Sequence, residues 1–201
     1  SRLEKIEDVN ITFNGKDYTP IQQKIEEKIV ETGEKMDAAR AKEADALARR
    51  EREEQQRLAT ASSNGNDVRK AQIDVEITEI KKQILEKRKT LESKAISKSK
   101  DFSKKQGSLE SAKESMEAMF AGNEFVEIQK LELKESILKD EKALLGNSLD
   151  SRERDAKQKS MDCQKRLLAI FEGIYDKFTA IDRQYGADPQ QVFLKKMNVY
   201  N

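Results

Sequence analysis

The sequence predicts an all-α chain: an elongated antiparallel coiled coil folded as an up-down four-helix bundle, with a short hairpin or loop in front of it. Three observations carry this. Proline occurs only at positions 20 and 189, and helix interiors exclude proline because it lacks an N–H and collides with the preceding turn. Residues 21–188 are thus free to wind, and they are dense in Glu, Lys, Gln, Ala and Leu, the strong helix formers. Their apolar residues recur at alternating spacings of three and four, the signature of a helix seam.

Composition agrees. Charged residues make up 38% of the chain, hydrophobic ones 36% and aromatics 5%, with no Trp. An ordinary globular domain carries roughly 25% charge, so the apolar share here suits a narrow rod rather than a wide core. High charge with few aromatics also marks disorder, but periodic apolar positions and a net charge of +1 oppose that reading.

Three segments follow: residues 1–19 as a loop or hairpin, 20–186 as the bundle, and 187–201 as a short helix and tail. In the first, Ile11, Phe13 and Tyr18 flank Asn14-Gly15, a strong hairpin signal. Thr19-Pro20-Ile21-Gln22 then reads as a helix start, with Thr19 as cap and Pro20 at the first helical position. The first helix is expected over about 20–61, its seam formed by Ile25, Ile29, Thr32, Met36 and Ala39. Beyond Ala39 only Ala44, Leu47 and Leu58 interrupt polar residues, so that end is expected to be thin. Ser62 to Asp67 breaks the chain.

The second helix has the densest seam: Ile73, Ile77, Ile80 and Ile84, then Leu91, Ala95 and Phe102. Gln106-Gly107-Ser108 is the next turn. A third helix is expected from there to Leu145, with Leu109, Ala112, Met116 and Met119 followed by a denser apolar group from Phe125 to Leu145. That group forms two adjacent stripes and should touch two neighbours. Gly146-Asn147-Ser148 ends it, and Asp150-Ser151-Arg152-Glu153 reads as a capping box for the last long helix. The seam of that helix is Cys163, Leu167, Phe171, Ile174, Phe178, Ile181 and Tyr185. Gly186 stops it, and Asp188-Pro189 opens a short terminal helix.

A turn at Gly107 gives four helices of similar length. The alternative carries the heptad phase through Gly107 to Gly122-Asn123 and gives three long helices. Charge favours the turn: residues 81–105 hold ten Lys or Arg against three acids, and residues 110–135 hold seven acids against three Lys. A hairpin about Gly107 sets these opposite charges side by side.

Little points to chemistry. There is no His, no phosphate loop, no nucleophile elbow and no Cys pair with zinc spacing, so no catalytic, cofactor or metal site is expected. Paired carboxylates such as Glu53-Glu54 read as surface, and Cys163 as a small buried hydrophobe. Met116, Met119 and Phe120 read as core before docking surface. The near-zero net charge and lysines spread around the helix disfavour nucleic acid. No apolar run approaches the roughly 18 residues of a membrane span. An opening Ser1 reads as a fragment or processed product, and both a cytoplasmic and a bacterial secreted origin fit.

Aromatics concentrate at one end of the expected rod: Phe13 and Tyr18 near the start, and Phe171, Tyr175, Phe178, Tyr185, Phe193 and Tyr200 in the last 31 residues. They form either a packed base or a partner-docking head. The function expected is a non-enzymatic protein-interaction or assembly module, a scaffold or spacer that binds a protein partner or its own copies. A helical component of a bacterial secretion system or toxin is the alternative, by architectural analogy alone. A membrane-surface-binding helical dimer is the second alternative.

Overall fold

The computed structural model describes residues 12–13, 16–17, 19–61, 65–104, 113, 117 and 121–200. Among these the chain is an all-helical bundle. A small hairpin, β1 (Thr12–Phe13) and β2 (Lys16–Asp17), pairs antiparallel with Thr12 opposite Asp17 and Phe13 opposite Lys16. It brackets the expected Asn14-Gly15 turn. The helices are α1 (Thr19–Thr60), α2 (Gly65–Lys104), α3 (Glu124–Leu144), α4 (Ser151–Tyr185) and α5 (Pro189–Met197). With 42 residues, α1 alone is about 63 Å long at 1.5 Å per residue.

Packing follows chain order: α1 lies on α2, α2 on α3, α3 on α4, and α5 folds back on α4. Among the described residues no comparable contact returns from α4 to α1. Among the described residues the helices therefore form an open array, in which α1 packs against α2 alone to a comparable extent. The accessible surface shows the consequence. It is 13904 Å², against about 9,600 Å² expected for a compact monomer of this mass.

The core runs along α2, the central helix. Ile73, Ile77, Ile84 and Leu85 are buried there, Ile73 completely, and Val126 and Ile128 are buried on α3. The isoleucine seam is where the sequence places it, and α3 touches two neighbours as its double stripe requires.

On α1 the seam differs from expectation. Thr32 and Ala39 are exposed and Ile25 is 51% exposed. The positions turned inward are Ile29, Gly33, Met36, Arg40, Ala44, Leu47, Glu51, Glu54 and Leu58. Gly33 lets Ile96 come so close that a β-carbon there would sit 3.3 Å from its Cδ1. Arg40 donates to both oxygens of Glu92, with Nε–O distances of 3.0 and 3.2 Å. Lys82 bonds Glu51 at 2.9 Å. The thin end is filled by a polar contact, Thr78 donating to Glu54, with Glu54 only 4% exposed. That corrects the surface reading of the Glu53-Glu54 pair. Glu54 sits on the inward stripe and has Arg50 beside it at 2.7 Å. Buried polar groups with partners fix register more than they add stability.

The third helix is also interrupted. Ala121 donates to Glu117 in a helical bond, but residues 121–123 form a turn and α3 begins only at Glu124. Gly107, Met116, Met119 and Phe120 lie outside the described residues. Even so, the three-helix topology is excluded. Lys94 and Glu124 are bonded to one another, whereas one straight helix would hold them about 45 Å apart.

Candidate functional site

The end of the rod is built by short-range rules. Asp150 and Glu153 form the expected capping box at the start of α4, each bonding the other's backbone N–H at 2.8–2.9 Å. At its far end, after Gly186, the Asp188 side chain accepts from the N–H groups of Gln190 and Gln191, both at 3.1 Å, with Pro189 opening α5. This tight turn folds α5 back so that Val192 and Lys196 are buried.

Lys196 organises what they cover. It is 2% exposed, and a buried ammonium requires partners. It donates to the Ala121 carbonyl and to Asn123 Oδ1 at 2.7 Å, and pairs with Asp182 at 2.7 Å. Its Nζ also lies 5.2 Å from the Phe178 ring centre. Asn123 Nδ2 in turn donates to Asp182 at 2.8 Å. One side chain thus ties α5 to α4 and to the turn before α3.

The aromatics predicted for this end take separate places around that knot. Phe178 is buried and meets Tyr200 edge-on at 5.6 Å, and burial pushes the Tyr200 hydroxyl above its ordinary pKa. Tyr175 donates to Glu127 at 3.3 Å under Lys130, 4.2 Å from its ring centre. Tyr185 lies under Lys195 at 5.6 Å. Phe171 and Phe193 are half-buried. The side chains of Phe13 and Tyr18 lie outside the described part of the chain. What this end presents to solvent is instead Leu194, Met197 and Tyr200.

The basic stretch of α2 is occupied. Lys81 pairs with Glu135 at 3.7 Å, Lys87 with Glu127 at 2.7 Å, Arg88 with Glu132 at 2.9 Å, and Lys94 with Glu124. Burial pushes the Glu124 carboxyl up, but Lys94, a backbone N–H and Lys87 together outweigh this and hold it below the usual carboxylate range. The expected pairing of basic and acidic helices is present, and it consumes charge that a nucleic acid or an anionic membrane would need.

A second apolar surface among the described residues lies open on α4. The face of α4 toward α3 consists of Met161, Gln164, Leu168, Phe171, Tyr175 and Phe178. Residues advance 100° around a helix at each step, so Cys163, Leu167, Ile170 and Ile174 make a second stripe about 100° away. Cys163 is exposed, Leu167 is 41% and Ile170 58% exposed, and Ile174 is half-buried. This corrects the expectation that Cys163 and Leu167 pack in the seam, which α4 fills from the neighbouring positions 161, 164 and 168. Exposed Lys159, Arg166 and Lys177 border the stripe. Ile170 was missed by the sequence reading, although its signal is visible. The run Leu167-Leu168-Ala169-Ile170-Phe171 is too wide for a single seam.

Among the described residues no cluster of three or more Cys, Asp or Glu is placed to hold a metal, and no helix is long and apolar enough to cross a membrane. No family model matches the chain, and comparison with characterised proteins and with solved structures finds none similar to it.

Proposed function

We propose that this chain is a non-enzymatic helical interaction module, a slender spacer that docks a helical partner or further copies of itself. The observation that carries the reading is the uncovered stripe Cys163–Leu167–Ile170–Ile174 on an edge helix of an open array. Adjacent apolar positions at helical spacing, left wet while the neighbouring stripe of α4 packs on α3, are what a docking helix covers. The rod itself supports a spacing role, since α1 sets two ends about 60 Å apart. The secretion or toxin alternative and the membrane-surface alternative have no observation of this weight, and four cations of the basic stretch, Lys81, Lys87, Arg88 and Lys94, are already paired with α3.

The test places a photoreactive phenylalanine analogue at position 167 in the native chain and irradiates it in its own cells. A discrete crosslinked protein product that disappears when Ile170→Asp is added supports the reading. Irradiation that yields the uncrosslinked chain alone contradicts it.

A further inference from the structure

We infer that the occupant of the α4 stripe is the same stripe of a second copy, paired antiparallel about a twofold axis near Leu167–Ile170; this rests on the interaction reading above and names its partner. The residues of α4 are complementary to themselves in that orientation. An antiparallel pair that sets Leu167 against Ile170 of the second copy also sets Cys163 against its Ile174, and both layers recur across the axis. Four apolar residues per chain thus close into a continuous seam, as an isologous interface requires.

Charge selects the same register. In antiparallel helix pairs, the flank of one helix lies beside the same flank of the other. The row beside this stripe on α4 reads Arg152, Lys159, Arg166, Gly173 and Ala180. Long basic residues fill its first half and small ones its second. Reversal lays each basic stem over the small half of the other chain, Arg166 over Gly173 and Lys159 over Ala180, so like charges do not meet. No atom of the chain's own neighbours lies within 4 Å of a β-carbon built at Gly173, which leaves room for the stem.

The acids complete the match. Asp162 comes level with Lys177 of the second copy, and Asp176 falls between its Lys159 and Arg166. All five of these side chains are on exposed positions. Lys159 already has Asp155 at 2.7 Å on its own helix, and it gains a second acid across the axis. A parallel pairing loses this, because the basic row then faces the side of α4 occupied by Phe171, Phe178 and α3. The overlap covers residues 155–183, about 43 Å of helix, so the dimer falls at the small end of stable interfaces.

Cys163, the only cysteine, supplies the test. In Ile174→Cys the two sulfurs of one chain are eleven residues apart on a rigid helix, about 16 Å, and cannot join. Any disulfide between positions 163 and 174 is therefore between copies. Mild oxidation of Ile174→Cys is expected to give a doubly bridged covalent dimer within minutes. Glu172→Cys, whose new thiol faces away from the stripe, should lag at least about tenfold, and the wild type should barely link. Sedimentation equilibrium of the unmodified chain at about 50 µM is expected to show a dimer. Leu167→Asp/Ile170→Asp should return it to a monomer of unchanged helicity. Asp162→Lys should weaken the dimer, and adding Lys177→Asp should restore it.

A monomer throughout, with Ile174→Cys linking no faster than Glu172→Cys, overturns the inference. A dimer that survives Leu167→Asp/Ile170→Asp overturns it too. So does a monomer that binds vesicles of phosphatidylcholine and phosphatidylglycerol through Ile170. If position 167 crosslinks to a different protein in cells while the pure chain stays monomeric, the second copy is the wrong partner and the interaction reading survives.

Discussion

Ile73 has no accessible surface, and its burial depends on a spacing plain in the sequence. Truncating it to alanine leaves a cavity that rigid neighbouring helices cannot refill, so Ile73→Ala should cost about 2–5 kcal/mol in urea unfolding. The polar members of the α1 seam were hidden for a physical reason. Gly33, Arg40 and Glu54 do not register in a search for apolar periodicity, yet a narrow two-helix seam can bury glycine for close approach and charged groups with partners. Arg40 illustrates the consequence. Its hydrogen bonds to Glu92 hold that carboxyl below its ordinary value of 4.5, while burial opposes the shift. A carboxylate whose folded pKa lies below its unfolded one stabilises the fold fully above the unfolded value and loses that contribution as pH falls through the folded value. Glu124 shifts in the same direction. Thermal stability should therefore fall as the pH drops below 4.5, and Glu92→Gln should flatten that drop in a melting series monitored by circular dichroism.

At the scale of whole elements, ends were more legible than partners. Asp150 with Glu153, and Asp188 with Pro189, mark helix starts through local bonds that need no tertiary context. The break at Gly122 was read only as an alternative helix end, because the apolar phase continues past it and its reason is tertiary. A β-carbon at Gly122 would collide with the Glu124 carboxylate that Lys94 holds. On α4 the sequence reads as one seam, whereas the chain holds two adjacent stripes, and which one α3 covers depends on packing that no local rule supplies. Gly173 lies in the middle of this helix with open space around it, so Gly173→Ala should stabilise the chain by about 0.5–1 kcal/mol in the same unfolding assay. The docking of α5 depends on Lys196. Lys196→Met removes its ammonium from Asp182, Asn123 and the Ala121 carbonyl, at a cost of about 1–3 kcal/mol. Amide exchange should then accelerate across residues 189–197 while α2 stays protected.

For the molecule as a whole, the all-helical class, the basic-to-acidic pairing of α2 with α3 and the rod shape were all readable from composition and period. That α1 and α4 lack, among the described residues, a contact comparable to the others was not, because equal helix lengths suggest a closed square that this packing leaves open on one side. That opening sets the account apart from a compact bundle and leaves the α4 stripe uncovered. Small-angle X-ray scattering on the Leu167→Asp/Ile170→Asp chain measures the elongation of the array directly. An open array built on helices of about 63 Å should give a radius of gyration of about 21 Å or more. A value near 17 Å, expected for a sphere of 201 residues, would contradict it.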